Sequence, residues 1–455
     1  MKKMQKRAII CLFFAAILVI GTGIYVGKYI AHGDEWVTYP ANSHIYTKGK
    51  LTTGVIIDKD GNTLIANSKN GETKYNEDYT TRCALVHTTG DSLGNIATGA
   101  NVAFSDEMVG YNPITGVYSA SGTGRTIKLT ISSEISKAAK EALGDRRGTV
   151  GIYNYKTGDI ICMVSSPNYD PYDPPTLSSD DTSGTYLNRF TSSTVVPGSI
   201  FKVITATAAI EELPNLDDWT YTCHGTEQYG SYEKDKITCV YTHGTVDFEE
   251  ALAKSCNCAF GKLATEIGAD KLEEYTKKAG LMDSYNINGI KTKASSFEFN
   301  DNKLSLAWTG IGQSKDLVNP CAMMVYMGAI ANGGKTASPK IIDSIEFSNG
   351  LPASIQSKSK TKELVNSDTA SKLSDMLRNN VESNYGTSNF PGLDICAKSG
   401  TAQTAGENPH AWFTGFLRDK DHPYAFIVLV ENSGFGQEVA GKVANQVLQK
   451  AVNND

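Results

Sequence analysis

The sequence predicts an α/β (α+β) fold: an antiparallel sheet flanked by helices, carried behind a small N-terminal module and one membrane-spanning helix. Three observations predict it. An unbroken apolar run opens the chain, strand-like hairpin patterns stand early and strand patterns return at the end, and a long stretch of helical periodicity lies between. A hairpin first, helices in the middle, then strands and a closing helix imply a sheet whose strands come from both ends of the chain, with helices packed on it.

The elements follow in order. Lys2, Lys3, Lys6 and Arg7 precede an apolar run from Ala8 to Val26, closed by Gly27 and Lys28. A helix over that run reaches about 28 Å, the hydrocarbon thickness of a bilayer. Residues 1–7 therefore read as a cytoplasmic tail and 8–27 as a transmembrane signal anchor, single-pass in the cell membrane, with the rest of the chain extracytoplasmic. The alternative is a cleaved signal peptide; the run is long for one, and no A-x-A site follows it cleanly. Residues 28–144 read as a membrane-proximal module of pedestal or dimerisation type. It opens with "LTTGVIIDKDGNTLIANS" (51–68), a hairpin about Asp58-Lys59-Asp60-Gly61. From 70 to 125 the periodicity is weak. "TIKLTISSEISKAAKEALG" then begins as a strand and turns helical, with Ile135, Ala138, Ala139 and Ala142 on one face and Gly144 as its stop.

Residues 145–455 read as the main domain. "GTVGIYNYKTGDIICMVSSP" is two strands, a helix opens at Ser199, and a largely helical stretch reaches about Asn332. Strands return at "DICAKSGTAQT", "HAWFTGFLRD" and "YAFIVLVENS", and a last helix aligns Val439, Ala440, Val443, Ala444, Val447 and Leu448.

Composition narrows the function. The chain of 455 residues is 40% hydrophobic and 20% charged, with a net charge of −6. No basic block stands outside the first seven residues, which argues against nucleic acid as a partner. Nine cysteines are too few for a disulfide scaffold. Cys223 and Cys239 lie in a polar stretch near His224 and His243. They form a disulfide, a zinc site that recruits a histidine, or two free thiols. Cys256 reads as inert packing.

In "VVPGSIFKVITATAAIEE" (195–212), Ser199 follows a Pro-Gly turn and Lys202 stands in the first turn of an apolar helix, on the same face. S-x-x-K alone is weak, since it recurs at Ser231/Lys234, Ser357/Lys360 and Ser359/Lys362, but only this copy opens an apolar helix. A serine hydroxyl needs a base, and a lysine serves as one only when burial or nearby cations keep it neutral. The helix N-terminus also aims backbone N–H groups at the serine. A proton carrier and a grip on the substrate are then required. "AKSCNCAF" offers Ser255 and Asn257; "AKSGTAQT" offers Lys398, Ser399, Gly400 and Thr401. A second K-[ST]-G, at Lys156-Thr157-Gly158, reads as a hairpin tip.

P-G-S-x-F-K, then S-C-N, then K-S-G-T-A, in this order and on this α/β pattern, resemble the penicillin-binding transpeptidase family, class B-like and monofunctional. "GIGQ…NPCAMMVYMGAIANGG" and "HAWFTGF" match as well, and the likeness covers about residues 145–455. The resemblance implies a D,D-transpeptidase that cross-links peptidoglycan stem peptides through a serine acyl-enzyme and is acylated by β-lactams. Ser199 would attack, Lys202 act as base, Ser255 relay a proton, and Lys398 help keep Lys202 neutral. Asn257 would bind the substrate amide, Ser399, Gly400 and Thr401 the terminal carboxylate, and the N–H groups of Ser199 and Thr401 the oxyanion. It implies no metal and no organic cofactor, and by analogy a SEDS-family glycan polymerase as membrane partner. The chemically adjacent alternatives are a D,D-carboxypeptidase, a membrane-anchored β-lactamase and a β-lactam-binding sensor. No glutamate stands in the E-x-x-L-N context that a β-lactamase would use for deacylation.

Overall fold

A computed structural model describes residues 2–39, 42, 45–110, 124–355, 359–404 and 406–453. The weakly periodic segment therefore lies partly outside the described residues, as does Ser357. The first helix runs Lys2–Val37, and its apolar part, Lys3–Gly33, is long enough to cross a membrane, with its most apolar window left unburied by the described residues. One N-terminal apolar helix fits a single-pass anchor. The helix outruns the expected 8–27 because no proline stands before Pro40 to stop it.

The early hairpin forms as its turn chemistry requires, with strands Val55–Ile57 and Thr63–Asn67. The Asp58 carboxylate accepts the N–H groups of Asp60 and Asn62, and Gly61 takes a φ of 88°. These strands belong to a six-stranded sheet with Thr73–Tyr75, Thr126–Leu129, Ile342–Glu346 and Pro352–Ile355. Its last two strands come from far downstream in the chain. Between Tyr75 and Thr126 the described chain holds only short helices: Tyr79–Ala84, Val86–Thr89, Ala100–Ala103 and Ser105–Val109.

The main sheet has five antiparallel strands: β1 (Gly148–Asn154), β2 (Ile160–Ser166), β3 (Ile395–Ala402), β4 (His410–Leu417) and β5 (Tyr424–Val430). Their order is β3-β4-β5-β1-β2, so the two ends of the domain meet at the β5–β1 ladder and β3 is an edge. Strand alternation supplies two cores. From β5, Phe426 and Val428 face helices α1 (Ser133–Leu143) and α5 (Lys442–Asn453), packing with Ile135, Ala139, Val443 and Val447. Ile427 and Leu429 face the opposite layer, which holds α2 (Lys202–Glu212), α3 (Asn257–Ile267) and α4 (Pro320–Ala331). Helix α4 is buried on all sides, which is why "PCAMMVYMGAIA" carries no polar face.

The expected helical stretch is interrupted. Residues 220–247 form two small antiparallel pairs, Thr220–Cys223 with Gly244–Asp247 and Thr226–Gln228 with Lys236–Thr238. Strands of three or four residues are too short to show a period of two, and their partners lie across loops.

Candidate active site

The turn that presents Ser199 is held from two sides. Val195 and Val318 exchange backbone hydrogen bonds, and the Gly198 N–H donates to the Gly312 carbonyl at 2.8 Å. Gly198 has a φ of 56°, and a Cβ there would lie 3.0 Å from the Thr401 carbonyl oxygen. Only glycine allows both the left-handed backbone and that approach. The tight turn Gly198–Ile200 leads into α2, so Ser199 stands against edge strand β3, and Lys202 follows in the first turn of the helix, fully buried.

The Lys202 ammonium meets three acceptors: the Ser255 carbonyl at 2.7 Å, the Ser255 hydroxyl at 3.1 Å and Asn257 Oδ1 at 2.7 Å. Among the described residues, the Lys202 ammonium makes no hydrogen bond to the Ser199 hydroxyl. Catalytic hydrogen bonds of resting enzymes commonly close only when substrate enters. Lys398, equally buried, donates to the same Ser255 hydroxyl at 3.1 Å and to the Ser399 carbonyl at 3.0 Å. One hydroxyl thus bridges two lysines.

Backbone geometry places it there. Ser255 stands between helix Phe248–Ala253 and α3 with a φ of 53°, a left-handed conformation that costs a non-glycine residue about 1–2 kcal/mol. Such strain clusters at functional sites. Asn257 opens α3 and is fixed at both ends, since its Nδ2 donates to the Thr238 carbonyl at 2.8 Å.

Strand β3 carries the remaining candidates. The Ser399 N–H points away from β4 and donates to the Tyr385 hydroxyl at 2.7 Å, while that hydroxyl donates to Ser399 Oγ at 2.8 Å. Alternation gives the N–H of Thr401 the same outward direction, toward the Ser199 turn. A Cβ at Gly400 would lie 2.9 Å from the Pro197 carbonyl oxygen, so the bare backbone lets strand and turn meet. Thr401 Oγ1 accepts the Gly436 N–H at 3.2 Å.

Sequence reasoning missed Tyr385, which lies in the π-helical turn Val381–Tyr385, far from every motif. No local pattern marks it. Tyr385→Phe should leave the Ser399 N–H unpaired and cost about 1–3 kcal/mol, seen as a lower melting temperature together with weaker substrate binding.

Burial depresses both lysines. Lys202 is lowered to about 7 by burial and then by the Lys398 charge; Lys398 is lowered to about 7 by burial alone. Two ammonium groups sharing one hydroxyl titrate as a pair, so near neutrality one of them gives up its proton.

The second K-[ST]-G forms a hairpin tip, with Gly158 at a φ of 86°. Cys223 and Cys239 are not joined in a disulfide, their sulfurs standing 3.8 Å apart. They join His243 and Cys256 in a cluster able to hold a metal ion, while His224 is exposed.

Residues 148–449 match the family model described as the penicillin binding protein transpeptidase domain. The chain is 28% identical over 368 residues to "Peptidoglycan D,D-transpeptidase PbpA" of Mycobacterium tuberculosis, covering 73% of each. It is 27% identical to "Stage V sporulation protein D" of Bacillus subtilis, covering 74% of this chain and 54% of that protein. The crystal structure of PBPA from M. tuberculosis superposes with a TM-score of 0.77 at 25% identity, covering 88% of this chain and 99% of that one. The D,D-transpeptidase domain of a peptidoglycan glycosyltransferase from Eggerthella lenta gives 0.74 at 26%, covering 88% and 98%. With the family model spanning well over half its length, the chain belongs to the penicillin-binding transpeptidases, in their class B branch.

Proposed function

We propose that the chain is a membrane-anchored peptidoglycan D,D-transpeptidase acting through a Ser199 acyl-enzyme. The observation that carries the reading is the Ser255 hydroxyl held 3.1 Å from each of two fully buried lysine amines. A structural role alone would not use two buried lysines on one hydroxyl, because each costs desolvation free energy.

Ser199 Oγ attacks the carbonyl carbon between the two terminal D-alanines of a stem peptide and gives its proton to neutral Lys202. The oxyanion is received by the outward N–H groups of Ser199 and Thr401. When the C–N bond breaks, the proton returns through Ser255 to the departing D-alanine amine. Lys398 keeps Lys202 from holding that proton, and with Ser399, Gly400 and Thr401 it forms the strand edge that grips the terminal carboxylate. Asn257 holds the peptide amide. An amine from a neighbouring stem then takes the acyl group, loses its own proton to the same relay and frees Ser199. The basic residues before the anchor place the N-terminus in the cytoplasm and the domain outside. A SEDS-family polymerase is the membrane partner that the family resemblance suggests.

The test uses the full chain in detergent with a stem peptide ending in D-Ala-D-Ala and an acceptor amine. A cross-linked product with release of one D-alanine is expected by mass spectrometry. Release of D-alanine with water as the only acceptor would make it a carboxypeptidase. Multiple turnovers of penicillin within seconds, in place of an acyl-enzyme lasting minutes, would make it a β-lactamase.

A further inference from the structure

Strand β3 is an edge, so the N–H and C=O groups on its outer side need partners from something other than a strand. They find them on the end of a helix. The helix Ser367–Asn380 passes into the π-helical turn Val381–Tyr385, and turns of this kind gather at functional sites. Asn380 Nδ2 donates to the Ala397 carbonyl at 2.7 Å, and the Tyr385 hydroxyl accepts the Ser399 N–H at 2.7 Å. The two bonds bracket Lys398 and end two residues before Thr401.

The same turn also reaches the opposite wall of the groove. Asn384 Nδ2 donates to the Ala253 carbonyl at 2.7 Å, from a position 131 residues away in the chain. Ala253 ends the helix Phe248–Ala253, where a carbonyl has no partner within the helix, and it stands two residues before Ser255. Asn384 Nδ2 lies 3.4 Å from Asn380 Oδ1 as well, so two amides link the Ala253 carbonyl to the Ala397 carbonyl. Among the described residues, segments 248–257 and 380–401 share two hydrogen bonds, the Asn384–Ala253 bond and the one from Lys398 to the Ser255 hydroxyl. The second is a poor brace. It sets an ammonium on a hydroxyl that a second ammonium already holds, and two like charges in a buried site push apart.

We propose that Asn384, with Asn380 and Tyr385, fixes the width of the catalytic groove, holding the Ser255 turn and the Lys398 strand at the separation that proton transfer needs. The inference rests on the reading of Ser255 as the proton relay. All three are positioning residues, acting through Ser255, Lys398 and Ser399. Without the Asn384 bond the Ser255 turn drifts away from β3 and the Lys398 charge recedes from Lys202. The Lys202 amine faces Lys398 and the thiols of Cys239, Cys256 and Cys258. Loss of the cation among these neighbours leaves Lys202 easier to protonate.

Asn384 is exposed, so its replacement leaves the core intact. In the full chain in detergent, Asn384→Ala should slow acylation of Ser199 by penicillin about 10- to 100-fold. The pH midpoint of acylation should move upward, with a melting temperature within about 2 °C of wild type. Asn384→Asp keeps the shape without the donor and should be at least as slow. Ser383→Ala removes an exposed hydrogen bond inside the same turn, from Ser383 Oγ to the Asn379 carbonyl at 2.8 Å, and should change neither rate nor midpoint. NMR titration of the Lys202 amine in Asn384→Ala should show the same upward shift. That readout needs no acylation, so failure here is distinct from failure of the transpeptidase reading. Wild-type rate and midpoint in Asn384→Ala overturn the proposal. So does an equal loss in Ser383→Ala, or a slower rate with the Lys202 midpoint unmoved.

Discussion

Ser199→Ala is expected to abolish covalent labelling of the full chain by a fluorescent penicillin. Loss of the nucleophile in serine acyl-transfer enzymes costs about 10⁶-fold in rate, which takes labelling below detection. The fold should survive, because Ser199 lies in a tight turn whose geometry is set by Gly198 and the Gly312 carbonyl, not by the serine hydroxyl. An unchanged melting temperature with no adduct separates loss of chemistry from loss of structure. A penicillin adduct of normal yield in the alanine variant, mapped to another residue, would move the nucleophile elsewhere.

The second large effect is a pH dependence. Lys202 serves as a base only when neutral, and burial with the Lys398 charge brings it down to about 7. Acylation should therefore rise with pH through about 7 and level off above it. Two pH units below that midpoint about one amine in a hundred is neutral, so acylation at pH 5 should be about 100-fold slower than at pH 9. The sign for stability is the same. Between about 7 and the ordinary lysine value of 10.5 the unfolded chain binds more protons than the folded one, so stability grows with pH across that window. Lys398→Met removes the neighbouring cation, and the midpoint of acylation should then move upward.

The site was legible in the sequence where its chemistry is local. Ser199 and Lys202 stand one helical turn apart, Ser255 and Asn257 flank a single residue, and Lys398 to Thr401 are consecutive, so each motif is one short element. The sheet was legible for a similar reason: "YAFIVLV" is apolar throughout because β5 is central and covered on both faces. What escaped was long-range. The strands Ile342–Glu346 and Pro352–Ile355 look like any hairpin until their pairing with Thr126–Leu129 is known. Tyr385 reaches Ser399 only because a helix end packs under β3. The sequence left Cys223 and Cys239 open between disulfide, zinc and free thiols, and read Cys256 as packing. Only the fold brings Cys256 to them, because spacing along the chain does not encode which loops meet.

The central claim is that burial leaves Lys202 uncharged at the pH where the enzyme works. Its most direct test is an NMR titration of the lysine side-chain nitrogens in the full chain, assigned with Lys202→Met and Lys398→Met. The account predicts that the Lys202 amine loses its proton near pH 7, well below ordinary lysines. An amine at position 202 that stays protonated to pH 9 and beyond, while Ser199 still acylates at full rate, would contradict it.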